Sequence, residues 1–111
     1  MKLTDMPEGT TDWPQIPATR IAGASGFADS RARQAGDVQQ RLVAYAPGYL
    51  ADHWCAKGHV LYVLTGALVI EHENHAPACA LSAGMSWHVA DGEGPAHRVR
   101  CESGATVFIV D

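Results

Sequence analysis

No run of 18 consecutive apolar residues occurs in this chain of 111 residues, which excludes a membrane-spanning helix. Basic residues are also scarce. Eight Lys and Arg stand against twelve Asp and Glu, a formal charge of −4, and they form no stripe or face. No nucleic-acid partner is therefore expected, and the acidic balance serves solubility. Cysteine is sparse and odd in number, at positions 55, 79 and 101. The segment Met1–Gly9 has no apolar core like that of a signal peptide, so a cytoplasmic location is expected and a disulfide scaffold is not. The thiols are left for packing, redox chemistry or metal binding; a Cys55–Cys101 bond would need both to share one cavity. Other signatures are missing too. There is no Gly-x-Gly-x-x-Gly and no phosphate loop, and Ser86 and Ser103 lack a nucleophile elbow. No carboxylate pair is placed for glycosidic chemistry, with Asp52 expected to face away from His53 and Glu71 and Glu73 near a hairpin tip.

What remains is a β-rich chain with a composition, 47% hydrophobic, suited to one domain with one core. Residues 1–30 are broken by Pro7, Pro14, Pro17 and several glycines, and read as an extended arm anchored by Trp13 and Ile16. Residues 31–111 read as a single domain of short strands: 41–46, 50–55, 59–64, 67–71, 78–81, 85–89, 97–101 and 105–110. No stretch shows convincing helical periodicity; residues 27–34 suit one or two turns at most. The class is all-β, a sandwich or barrel of antiparallel sheets. Its expected core is Leu42, Leu61, Val63, Leu68, Ile70, Val89, Phe108 and Val110. A homodimer is the expected means of protecting sheet edges in so small a domain.

Donor atoms are concentrated in Asp52-His53-Trp54-Cys55-Ala56-Lys57-Gly58-His59. On a strand, His53 and Cys55 would leave the backbone on one face, and a bend at Gly58 would bring His59 back beside them. His97 opens a later strand, with Val99 and Cys101 on its side and Arg98 and Arg100 on the other. Imidazole and thiolate are ligands for zinc, nickel, iron or copper rather than calcium or magnesium. Each residue also has a plainer role open to it. The histidines can be satisfied pocket residues, and Cys55 and Cys101 small buried hydrophobes. His72 and His75 are placed in a solvated turn. His88 alternates with Trp87, so one of them lines the interior; Trp54 points away from its neighbours.

The stretch from Gly48 to Gly66 resembles the first motif of the cupin superfamily: Gly, five residues, His-x-His, three or four residues, Glu, six residues, Gly. His53 stands at the first histidine, Cys55 at the second and His59 at the glutamate. Gly84, the turn Asp91-Gly92-Glu93-Gly94-Pro95 and His97 resemble the second motif, with a longer loop. The chain looks most similar to small single-domain cupins with an Asp-His-Trp-Cys signature. The resemblance covers residues 40–111 and implies a cupin-type double-stranded β-helix, a jelly-roll barrel. It implies one divalent transition metal on His53, Cys55, His59 and His97. A small-molecule ligand would occupy a cavity lined by Tyr62, Val99 and aliphatic groups. The donor set suits metal-assisted conversion of a small molecule, a non-catalytic ligand or metal module, and a thiol redox protein alike.

Overall fold

A computed structural model describes residues 3–92 and 94–111. Glu93, in the turn expected before His97, lies outside them. A short 3-10 turn, Trp13–Gln15, precedes nine strands: β1 (Thr19–Ala22), β2 (Phe27–Ala35), β3 (Val38–Tyr45), β4 (Tyr49–Leu50), β5 (His59–His72), β6 (Cys79–Ser82), β7 (Ser86–Val89), β8 (His97–Cys101) and β9 (Ala105–Val110). All the ladders are antiparallel, in the order β1-β2-β3-β9-β5-β8-β4, with β6 and β7 also on β5. Residues 27–34 are therefore strand, not helical turn. The strand β2 crosses residue 30 and carries β1 with it into the sheet.

One strand shapes the molecule. The first half of β5 pairs with β7 and β9, and its second half with β6 and β8. The register shifts between Val63 and Thr65, and Gly66 follows at φ +80°. A side chain there would need a left-handed backbone and would run into the Gly104 carbonyl. The two segments read separately from sequence are thus one bent strand that turns the sheet back on itself.

The result is an all-β, curled antiparallel sheet resembling the cupin double-stranded β-helix. It is an open half-barrel and not the closed jelly-roll barrel expected. The reason lies at β4. Pro47 and Gly48 precede it, it is two residues long, and what links it toward the β1–β2 side is a bridge, Ser25↔Leu50, and a bond from Ser25 Oγ to the Gly48 carbonyl (2.8 Å). The expected strand 50–55 is correspondingly absent: after Leu50 the chain bends, and Cys55 makes a single bridge.

The concave face holds the core, including Val43, Leu61, Val63, Leu68, Ile70, Cys101, Val107 and Ile109. Each such large aliphatic contributes about 1.5–3 kcal/mol by burial. Leu61, Val63, Leu68 and Ile70 are where expected, but β3 and β9 have the opposite phase. Val43 replaces Leu42, and Val107 and Ile109 replace Phe108 and Val110. Both faces of β9 are apolar, so alternation alone does not choose between them. Phe108 lies on the outer face, where Trp13 meets it edge-on at 6.0 Å. Arg31 Nε donates to the Ile16 carbonyl (2.9 Å), so the Trp13 ring and the Ile16 backbone, not its side chain, make these contacts with the sheet.

Candidate metal centre

The inner phase of β3 and β9 decides what faces the cavity. In β9, Ala105, Val107 and Ile109 point inward, and Asp111 continues their parity. In β3 the inward row is Arg41, Val43 and Tyr45, set against Ile109, Val107 and Ala105. A buried carboxylate and a guanidinium thereby reach the mouth of the half-barrel.

Cys55 and His97 are brought together by backbone. Cys55 N–H donates to the His97 carbonyl (2.8 Å) and His97 N–H to the Cys55 carbonyl (2.9 Å). Residues exchanging both bonds sit directly opposite and project to one face. His59 arrives four residues later. Its approach requires Gly58, where an added Cβ would lie 2.6 Å from Asp91 N. The Gly58 N–H itself donates to Asp91 Oδ1 (2.6 Å), tying this bend to the loop before β8.

Cys55, His59 and His97 each offer a ligand atom within 4.8 Å of the others. The Cys55 Sγ to His59 Nε2 distance is 3.6 Å, and the Lys57 N–H donates to the same sulfur. His59 is fixed by Asp111, whose Oδ2 lies 2.7 Å from Nδ1. An ionised carboxylate only accepts, so the proton sits on Nδ1 and the Nε2 lone pair faces the cluster. Arg41 Nη2 donates to that same Oδ2 at 2.8 Å. Histidine ligands commonly have such a carboxylate behind them.

Electrostatics keep both rings neutral. Burial pushes His97 down from 6.5 to about 4, helped by the neighbouring His59 and His72. Burial also lowers His59, against the opposing pull of Asp111. Burial would raise Asp111, but Arg41, His59 and Lys57 outweigh it and hold the carboxyl below its usual range. His97 Nε2 is buried without a hydrogen-bond partner among the described residues. A buried imidazole nitrogen left so is costly, and an ion between it, the thiolate and His59 would remove the cost. The residues therefore fit a thiophilic divalent ion.

The other candidates take different places. The His53 side chain is 78% exposed, and its Nδ1 lies 2.7 Å from Asp52 Oδ1, so Asp52 faces it after all. It lines the cavity but stands outside the three-donor group. Cys101 is buried and donates to the Ala67 carbonyl (3.3 Å), a packing role. His88 is exposed, and Trp87 faces inward, its ring 4.8 Å from that of His97. Arg98 lies over the Trp54 ring at 4.2 Å. His75 is exposed, but His72 is not in a solvated turn: it closes β5 opposite His97, with Nδ1 buried and without a partner among the described residues.

Beside the cluster is a cavity of about 160 Å³ lined by Arg41, Tyr45, Tyr49, Trp87 and Val99 among others. Tyr62 is not among them; it is exposed on the outer face. The sequence reading does not single out Asp111, Arg41 or Tyr45, and it leaves Trp87 as one of two alternatives with His88. The signal for Asp111 was an acidic residue in step with 105, 107 and 109.

Solved structures share this architecture. The Clostridium difficile EutQ protein superposes with TM-score 0.71 at 12% identity, covering 98% of this chain and 95% of that one. A sugar phosphate isomerase from a cupin superfamily, from Silicibacter pomeroyi, gives 0.70 at 17%, covering 92% and 74%. A cupin-2 domain containing protein from Shewanella frigidimarina gives 0.58 at 21%, covering 74% and 78%. The fold is cupin-like. At these identities the likeness concerns the fold alone. No protein-family model matches the sequence, and no curated protein matches it. The chain thus combines a cupin-like fold with a candidate transition-metal site on Cys55, His59 and His97. Among the described residues, no helix is long and apolar enough to cross a membrane.

Proposed function

We propose that this chain holds one divalent transition ion, zinc, nickel, iron or copper, on Cys55, His59 and His97 and presents it to a small organic molecule. The observation that carries the reading is the convergence of three soft or borderline donors from separate segments within 4.8 Å. The buried His97 Nε2, without a partner among the described residues, supports it. Three protein ligands leave a position for water or ligand, whereas four would close a tetrahedral site. His53 belongs to the proposal as a rim residue: Asp52 engages its Nδ1, which leaves Nε2 as the atom it would offer. A bound ion would supply Lewis-acid polarisation or an activated water. The protein's part is separate: Asp111 orients His59, Trp87 shields His97, and the cavity admits only a compact molecule. The proposed protein partner is a second copy, covering the exposed outer stripe of Val60, Tyr62 and Leu64.

Elemental analysis of protein purified without an affinity tag tests the reading. One equivalent of transition metal is expected, lost on His59→Ala or His97→Ala. Metal-free protein after anaerobic preparation, with a reactive Cys55, would favour the thiol redox alternative instead.

A further inference from the structure

The cavity wall opposite the apolar core is polar in one place. Arg41 and Tyr45 share the inner face of β3 and both line the cavity that contains His59 and His97. Arg41 commits Nη2 to Asp111, while its Nε is buried without a partner. The guanidinium thus has hydrogen-bonding capacity that the described residues do not use. Tyr45 is a phenol that burial pushes well up, so it remains a proton-bearing donor at neutral pH.

Charge points the same way. With a divalent ion bound, the ion and Arg41 exceed the two interior anions, Asp111 and the Cys55 thiolate, by one positive charge. Lys57 adds to this from the exposed side, with Nζ 3.7 Å from Asp111 Oδ1. Arg98 does not, because Glu71 accepts from its Nε at 3.1 Å. An excess charge in a cavity sheltered by Trp87 and Ile70 is relieved by an anionic ligand. Size sets the other limit. A cavity of about 160 Å³ is comparable with an engineered one of about 150 Å³ that admits benzene.

We propose that the ligand is a small monocarboxylate, its carboxylate held by Arg41 and Tyr45 while a second donor atom occupies the open metal position. This rests on the metal reading above.

The test titrates cobalt(II)-loaded protein with mercaptoacetate and with 2-mercaptoethanol, following the thiolate-to-cobalt absorption. The two probes share the thiol and differ in the carboxylate. Wild type is expected to prefer mercaptoacetate by at least about tenfold. Arg41→Met, compared at its own cobalt content because the guanidinium also holds Asp111, should reduce the preference below about twofold, and Tyr45→Phe should reduce it severalfold. An undiminished preference in both variants would mean that the metal alone selects the carboxylate, and overturns the proposal. Should Arg41→Met fail to hold cobalt, Tyr45→Phe decides, since it removes only a hydroxyl. If wild type takes up no cobalt, the metal reading itself fails and this inference goes with it.

Discussion

Replacing Asp111 by asparagine would keep the side chain's size but remove the charge that fixes His59 as its Nδ1–H tautomer. Metal affinity should fall by about 10–100-fold, the usual effect of losing a partner behind a ligand, measured by chelator competition. His59→Ala should abolish binding, so the two variants separate orienting from ligating. His97 leads to a second expectation, for the metal-free protein. Its folded pKa of about 4 lies below the ordinary 6.5, so between those values the unfolded chain binds the proton and the folded one does not. The stability tied to neutral His97 is complete above 6.5 and is lost as pH falls from there toward 4. Asp111, held below its usual range, adds a loss of the same sign at lower pH. Melting temperatures of apoprotein should thus be lower at pH 5 than at pH 7.5; equal values would contradict the buried, neutral ring.

At the scale of elements, the bend of β5 is the device that brings its two ends, His59 and His72, to the same mouth. Gly66→Ala places a side chain on a left-handed backbone against Gly104 and should cost about 1–3 kcal/mol, read from urea unfolding. Much of this level was legible in the sequence. Strand-forming runs and Gly or Pro turns gave β3 and β5 to β9 within a few residues, because their alternation and punctuation are local. Phase was not legible where both faces are apolar: Phe108 and Ile109 are equally hydrophobic, and only Trp13 on the outer side settles which is buried. The same slip hid Arg41, Tyr45 and Asp111, which follow Val43 and Ile109 inward. His72 was hidden differently. Its polar neighbours suggested a turn, but the β8 pairing extends β5 through it. The Cys55–His97 pairing likewise depends on a bridge 42 positions apart in sequence, which no local pattern announces.

For the whole molecule, the open half-barrel leaves Val60, Tyr62 and Leu64 exposed on one outer face, each between 43% and 46% accessible. If a second copy covers them, Tyr62→Lys should yield monomers in sedimentation while metal content stays unchanged, since Tyr62 points away from the cavity. Cys55, His59 and His97 depend instead on the fold of one chain: β5, β8 and the bend after β4 must close on one point. X-ray absorption at the metal edge of zinc-loaded protein addresses that convergence most directly. One sulfur at about 2.3 Å and two imidazole nitrogens at about 2.0–2.1 Å, with a lighter atom completing the shell, is the result expected. A shell with no sulfur, or with no histidine scattering, would contradict the site described.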